Sequence, residues 1–415
     1  MSLAERMPAG SGTRPRRPDP AHCLYAARAL RDFGDGFVAV LLAVYLTELG
    51  YTALTVGAIA TAALLGSSLT TLAIGLFARP HAQRTLLLAA SMLMVATGIA
   101  FAAASDFAWL LLVAFIGTIN PSAGNVSIFV PMEHALLAGS APASRRTQVF
   151  AVYGLTGAIA ASVGSLASGM PEWLGPAGWS RLDALRAMFC LYAVLGIAGG
   201  FLYRLIPKAV APVAAERSLS LGPSRRIVLR LAALFSVDAF AGGFAVQSLL
   251  ALWLFQKFDL TLAAAGWFFF AAGLLAALSY PAAAWLAGRI GLLNTMVYTH
   301  IPSSICLIGA ALVPDLAAAL SLLLLRAALS QMDVPTRSSY VMAVVTPAER
   351  AAAASVTSVP RGLASAASPA LAGAMMAAGY SAGPLVICGL LKIAYDLLLL
   401  WAFRGVKPPE EAGRP

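Results

Sequence analysis

Acidic residues inside long apolar segments are the groups in this sequence best suited to chemistry. Asp32 and Asp35 lie in the first such segment, Asp238 in the seventh and Asp333 in the tenth. An ionised group at the centre of a membrane span costs at least about 2.5 to 3.5 kcal/mol, so it normally has a partner or faces a wet cavity. A carboxyl group can also become neutral by binding a proton. We therefore predict proton binding at these four residues, and best at Asp35, the deepest in its segment.

A second interpretation of the first segment needs no proton transfer. Arg28 and Asp32 are four residues apart, as are Arg31 and Asp35. Residues four apart share one helix face, so each pair can form an ion pair. The same pattern is thus typical of an ion-pair cluster at the mouth of a membrane span.

Basic and amide side chains in the apolar segments are candidates for binding a substrate. Arg326 and Arg361 are too deep to reach water easily, so each should bind an anionic group or a buried acid, with Asp333 the alternative partner of Arg326. For the uncharged residues the alternative is hydrogen bonding between helices. The predicted cavity lining comprises Arg31, Asn120, Asn125, Tyr153, Gln247, Arg326 and Arg361.

Three other polar residues of the later segments have simpler interpretations. Lys392 and Asp396 are one helical turn apart, which predicts that they pair with each other. His300 lies alone in the ninth segment and is expected to be a packed side chain.

Composition places these residues in a membrane protein. Of 415 residues, 60% are hydrophobic and 11% charged, and the mean hydropathy is +0.82, unlike a soluble domain. Although the net charge is +10, the basic residues gather near segment ends, so we infer no nucleic-acid partner. The four cysteines have no metal-ligand spacing, and the sequence contains no phosphate-binding loop or hydrolase motif. We therefore expect no enzyme activity, no metal and no cofactor.

Apolar segments of about twenty residues, enough to cross a membrane as a helix, recur along the chain. They predict an all-α polytopic membrane protein with twelve spans, interrupted near Pro121, Pro131 and Pro335. The predicted spans are 27–49, 53–77, 85–105, 108–130, 148–169, 185–206, 229–255, 262–287, 293–313, 316–336, 351–377 and 383–403.

The distribution of polar residues predicts two halves of six spans. Basic residues concentrate at alternate span ends, which favours cytoplasmic termini. Gly36-Phe37 and Gly243-Phe244 occupy equivalent places in the first and seventh spans, as expected of a duplicated six-helix unit. The predicted parts are a disordered basic cytoplasmic tail (1–22), an N-terminal six-helix bundle (23–206), a cytoplasmic central loop (207–228), a C-terminal six-helix bundle (229–404) and a cytoplasmic C-terminal tail (405–415).

In this architecture the chain resembles the major facilitator superfamily, over essentially all residues after the tail. That family carries a Gly-x-x-x-Asp-Arg-x-Gly-Arg-Arg loop between spans two and three and repeats it between spans eight and nine. The first copy here keeps Gly75 and Arg84 but has Arg79 at the acidic position, and the second keeps Arg289 and Gly291. The resemblance implies that these five residues belong to gating loops, without the family's aspartate.

The resemblance also implies secondary transport across a cytoplasmic (inner) membrane by alternating access. Family exporters carry a Gly-x-x-x-Gly-Pro-x-x-Gly-Gly pattern in span five; residues 160–169 keep Gly164 and Gly169 without the proline, a pattern that also fits helix packing. We predict proton-coupled efflux of a small organic or amphiphilic solute by a monomer in contact with membrane lipid. The alternatives are a proton- or ion-coupled uptake symporter for an anionic molecule, and a lipid flippase or sensor that carries no solute.

Overall fold

The computed structural model describes residues 19–77, 82–122, 127–140, 145–207, 221–346 and 349–406, and these form helices joined by short connections. The helices of the N-terminal half are α1 (Pro20–Glu48), α2 (Ala53–Phe77), α3 (Gln83–Ala103), α4 (Phe107–Ile116), α5 (Phe129–Ser140), α6 (Arg146–Ala167), α7 (Met170–Leu174) and α8 (Arg181–Leu205). Those of the C-terminal half are α9 (Arg225–Gly243), α10 (Gln247–Phe258), α11 (Leu262–Ile290), α12 (Leu292–Leu312), α13 (Leu316–Ser330), α14 (Asp333–Ala343), α15 (Arg350–Ala377) and α16 (Gly383–Phe403).

Nine segments of the described chain are long and apolar enough to cross a membrane. They include the broken pairs α6–α7, α9–α10 and α13–α14. The helices α1 and α15 have 29 and 28 residues, enough for a hydrocarbon core of about 30 Å, although polar residues lower their hydropathy. With α4–α5 they supply the other three predicted spans. Large apolar side chains such as Met92 and Trp401 are exposed on the outside, as expected for contact with lipid.

Two broken spans extend further than the sequence predicts. The fourth was expected to end at residue 130 and the tenth at 336, but α5 continues to Ser140 and α14 to Ala343. Pro131 and Pro335 are each the third residue of these helices. The first turn of a helix has backbone N–H groups without intrahelical partners, so a proline there removes no hydrogen bond and permits a new helix to begin.

Small residues bring helices into close contact within and between the halves. In the N-terminal half, a Cβ atom at Gly36 of α1 would overlap the backbone of Ala161 in α6. Between the halves, Gly57 of α2 lies against Pro369 and Gly373 of α15. Such contacts between backbones are typical of membrane helices, because lipid supplies no hydrophobic force to drive them together.

The described chain begins at residue 19 and ends at residue 406 on the same end of the bundle, and hydrogen bonds between the halves lie toward the opposite end. Thr61 accepts a hydrogen bond from the backbone N–H of Ala370 (3.0 Å), and Glu172 accepts one from that of Leu262 (2.6 Å). Gln247 donates to Ser165 (3.2 Å). A cavity between the halves lies on the other side of this contact layer, toward the end where the described chain begins and ends.

Candidate functional site

The cavity between the halves has a volume of about 680 Å³ and two unlike walls. The N-terminal half contributes small and hydroxyl side chains, among them Ser68, Thr71, Ser162 and Ser165. The C-terminal half contributes an apolar patch that includes Phe268 and all the charged residues of the described lining. The acidic and basic residues of this wall are Asp238, His300, Arg326, Asp333, Arg337, Arg361 and Lys392.

Asp238 of α9 is the centre of the charged wall. Its carboxylate accepts a hydrogen bond from Lys392 of α16 (2.6 Å) and forms an ion pair with Arg337 of α14 (3.0 Å). Arg337 also pairs with Asp333, one turn earlier in its own helix. Because Asp238, Asp333 and Arg337 are almost completely buried, these pairs provide the neutralisation that charges in a membrane interior require.

His300 of α12 connects this wall to a deeper carboxylate. Its Nδ1 atom lies 3.0 and 3.1 Å from the two carboxylate oxygens of Asp396, and its Nε2 atom lies 3.3 Å from Nζ of Lys392. The expected pairing of Lys392 with Asp396 is therefore not what the structure has. Lys392 binds Asp238 instead, because residues on neighbouring helices come closer than the next turn of α16.

Arg326 of α13 and Arg361 of α15 are cations that line the cavity without an acidic partner in the described chain. Neither guanidinium forms an ion pair or hydrogen bond there, and Nε of Arg361 is buried without an acceptor. The alternative pairing of Arg326 with Asp333 is not present, since Asp333 binds Arg337. The cavity thus presents two positive groups with free hydrogen-bond donors.

Four charged residues of α1, Arg28, Arg31, Asp32 and Asp35, belong to a separate cluster inside the N-terminal half. Asp32 pairs with Arg28 (2.6 Å) and more distantly with Arg31 (3.4 Å), whose Nη1 atom binds Glu133 of α5 at 2.8 Å. The expected meeting of Arg31 with Asp35 does not occur. None of these five residues is more than 9% exposed, so the cluster lies in the interior of the bundle and not at the mouth of a span.

Glu133 is completely buried and has hydrogen-bond donors from three other helices. Besides Arg31, it accepts hydrogen bonds from Tyr203 of α8 (2.5 Å) and from Tyr153 of α6. A carboxylate with three donors is stabilised in its charged form. Glu133 therefore joins α1, α5, α6 and α8 at one point.

Asp35 has no cation in ion-pair contact among the described residues. Its carboxyl group accepts a hydrogen bond from Tyr192 (3.3 Å) and lies beside Asn120. The cluster contains two arginines and three carboxyl groups, so one bound proton would make it neutral. Asp35 is the acid that lacks a direct cationic partner.

The other residues singled out from the sequence occupy varied places. Gln247 lines the cavity, whereas Arg31, Asn120 and Tyr153 belong to the N-terminal cluster and not to the described lining. Asn125 lies outside the described residues.

The expected gating loops differ in what the structure describes of them. Arg84 donates hydrogen bonds to the carbonyl groups of Tyr203 and Arg204 (3.2 and 2.8 Å). Arg289 stacks on Trp285, with its guanidinium 4.1 Å from the ring centre. Gly291 has φ of 87° between α11 and α12, where a residue with a Cβ atom would be strained, and Gly75 has open space around it. Arg79 lies outside the described residues.

Sequence reasoning missed Glu133 and Arg337 and treated His300 and Lys392 as structural. The signal for the first two was an ionisable residue just after a proline in an apolar segment, which we interpreted as the end of the span. The pairing of His300 and Lys392 depends on contacts 92 residues apart, which a single sequence does not show.

Comparison with known proteins identifies the family. Residues 24–330 match the model of the Major Facilitator Superfamily. An uncharacterized membrane protein of Saccharomyces cerevisiae is 23% identical over 419 residues, which cover 92% of this chain and 94% of the yeast protein.

Solved structures agree on the fold. The inward-open xylose transporter XylE from E. coli superimposes with a TM-score of 0.73 at 14% identity, over 95% of this chain and 98% of that one. An inward-facing, occupied bacterial homologue of the human lysosomal transporter Spinster gives 0.71 at 15% identity, with the same coverage. Because the family match spans well over half of the sequence, this chain belongs to the major facilitator superfamily and is a multi-pass membrane transporter, not an enzyme.

Proposed function

We propose that this protein is a secondary transporter of a small organic anion and that it couples transport to protons. The observation that supports the substrate class is a pair of guanidinium groups in the cavity wall, Arg326 and Arg361, that have no acidic partner among the described residues. A cation without a counter-charge in a membrane interior is costly, and an anion that binds there removes that cost.

The rest of the cavity supports an organic anion of amphiphilic character. The hydroxyl groups of Ser162 and Ser165 face it from one half, and the rings of Phe268 and Phe269 from the other. Guanidinium groups bind carboxylates and phosphates through two parallel hydrogen bonds, whereas the aromatic rings favour an apolar portion of the same molecule.

Proton coupling follows from the N-terminal cluster. With two arginines and three carboxyl groups, the cluster is neutral only when one acid carries a proton, and Asp35 is the acid with no cation in contact among the residues that the structure describes. Protonation and release at Asp35 would change the charge of a buried group on α1, which packs against α6, α8 and α10. Such a change favours one arrangement of the helices over another.

Efflux, the direction predicted from the sequence, is the second candidate in this proposal. The small residues of α6 that resemble an exporter pattern have a packing role here: Gly164 lies against the backbone of Phe33, and Ser165 donates to the carbonyl of Gly36 (3.2 Å). They therefore give no argument about direction. The two arginines, which lack an acidic partner in the described part of the chain, favour anion uptake together with protons, since a proton compensates the charge of the anion.

The placement in the cell is part of this proposal. We place the protein in the cytoplasmic membrane with both termini in the cytoplasm, because basic residues concentrate at that end. The cavity then faces the cytoplasm. One chain contains both walls of the cavity, which supports function as a monomer.

The test is flux into vesicles that contain the purified protein. Benzoate, succinate, inorganic phosphate, glucose and tetraphenylphosphonium represent anionic, neutral and cationic solutes. We expect the wild type to move at least one anion, with protons in the same direction, and Asp35→Asn to lose the proton flux. Proton movement opposite to the anion would establish efflux by antiport. Flux of glucose or tetraphenylphosphonium alone would contradict the anion proposal, and no flux at all would favour a flippase or sensor.

A further inference from the structure

His300 occupies a position that the proposed anion site does not explain. It is buried in the charged wall of the cavity, between Lys392 and Asp396, and it also lines the cavity. The charged and titratable groups that face it are Asp396, Lys392 and Tyr395 of α16, Asp238 of α9, Arg337 of α14 and Arg326 of α13. A histidine among three cations and two carboxylates is placed to exchange a proton.

The hydrogen bonds determine which ring nitrogen carries the proton. An ammonium group has only donors, so Nζ of Lys392 donates to Nε2 of His300 at 3.3 Å. Nε2 must then be unprotonated, and the proton of the neutral ring is on Nδ1. From there it is donated to Asp396 at 3.0 Å. Lys392 thus occupies the nitrogen that would otherwise bind a second proton.

Lys392 can leave this position toward the cavity. Its side chain is 13% exposed, compared with 4% for His300, and it lies in the cavity wall. An anion bound in the cavity attracts the ammonium away from His300. Arg337 and Arg326 are then the cations that remain near His300, and Asp238, Asp396 and Asp333 are the carboxylates, so the surroundings of His300 have lost one positive charge.

A proton on Nε2 of His300 restores that charge. Asp396 stays at Nδ1, and Oδ1 of Asp238, which Lys392 has released, lies 3.9 Å from Nε2. The imidazolium ring would therefore have a carboxylate on each side. The proton comes from water in the cavity, its bond to Nε2 uses the ring's lone pair, and no other bond changes.

We infer that Lys392 and His300 form an exchange pair, in which movement of Lys392 to an anion allows His300 to take up one proton. His300 then acts as a proton-coupling residue in the C-terminal half, in addition to Asp35 in the N-terminal half. The identity of the attracting ion rests on the proposed function, but the control of His300 by Lys392 does not.

Nitrogen NMR of histidine-labelled protein in lipid bilayers tests the pair without any substrate. The chain has four histidines, and the signal absent from His300→Gln assigns His300. At pH 7 we expect the wild-type ring to be neutral with its proton on Nδ1. We expect it to be doubly protonated in Lys392→Met, and neutral again in the matched control Lys392→Arg, which keeps the positive charge.

Two results would overturn the inference. One is a wild-type ring that carries its proton on Nε2 or is already doubly protonated; the other is a ring that stays neutral in Lys392→Met. The wild-type signal decides the first point even if Lys392→Met fails to fold. Since no anion is present, failure here is distinct from failure of the flux experiment, which tests the anion site.

Discussion

Replacing Glu133 with glutamine keeps the size of the side chain but removes the negative charge that Arg31 contacts. The two side chains are 0% and 4% exposed, and the distance from Nη1 to Oε2 is 2.8 Å. Removing one member of a buried ion pair typically costs about 3–5 kcal/mol, and Arg31 would keep only its more distant contact with Asp32 at 3.4 Å. We expect Glu133→Gln to lower the free energy of unfolding by about this amount.

Two further variants separate the ion pair from the other contacts of Glu133. Tyr203→Phe removes one hydrogen bond to the carboxylate, which should cost about 1.5–3 kcal/mol. In the double variant Arg31→Gln with Glu133→Gln neither charge remains, and Asp32 keeps its contact with Arg28. The double variant should therefore lose less free energy of unfolding than Arg31→Gln and Glu133→Gln lose in sum, by at least about 1 kcal/mol.

The assay is reversible unfolding in mixed micelles with increasing sodium dodecyl sulfate, followed by tryptophan fluorescence and circular dichroism. A decrease of less than about 1 kcal/mol in the free energy of unfolding of Glu133→Gln would refute the reasoning, because breaking a buried ion pair at this distance should destabilise the fold more than that. Strict additivity in the double variant would refute it as well.

Three other predictions concern the cavity, a loop and a helix contact. Arg326→Gln and Arg361→Gln should each raise the KM for the transported anion about 10- to 100-fold without unfolding the protein, because hydrogen bonds to charged groups contribute about 1.5–3 kcal/mol. An unchanged KM in both variants would contradict the proposed anion site. Hydrogen bonds from Thr346 and Ser224 lower the pKa of Glu349, which lies outside the membrane, from 4.5 to about 2. The stabilising effect of its carboxylate is therefore complete above pH 4.5 and is lost as the pH falls toward 2. The difference in Tm between the wild type and Glu349→Gln should shrink over this pH range, and a constant difference would contradict a role for these contacts. Gly36→Ala should cost about 1–3 kcal/mol, because its Cβ atom overlaps backbone in α6, whereas Gly75→Ala, in open space, should be neutral in the same micelle assay.

Hydropathy was sufficient to predict the order of the spans, because the length of an apolar segment is set by the membrane. It was insufficient where a span is broken. The sequence predicted helix ends at Pro131 and Pro335, yet each lies in the first turn of a new helix that carries a buried charge, Glu133 or Arg337. A proline in the sequence does not reveal whether a helix stops or starts there.

The sequence was sufficient to identify several charged residues of the candidate site, but it was not sufficient to predict which of them contact each other. A charge in an apolar segment stands out in composition, so Asp238, Arg326 and Arg361 were recognisable as exceptional. Their partners depend on which helices pack together, and a single sequence gives no such distances. Spacing of four residues correctly suggested Arg28 with Asp32, but for Lys392 and Asp396 it suggested a contact that neighbouring helices replace.

The ion pair between Arg31 and Glu133 also constrains how the protein is made. The partners are 102 residues apart, so α1 leaves the ribosome long before α5 exists. Until then α1 must enter the bilayer with Arg31 lacking its principal counter-charge, at a cost of a few kcal/mol. We therefore expect insertion of the first helix to become more favourable once the fourth span is synthesised. Shortening the nascent chain before residue 133 should leave α1 poorly inserted.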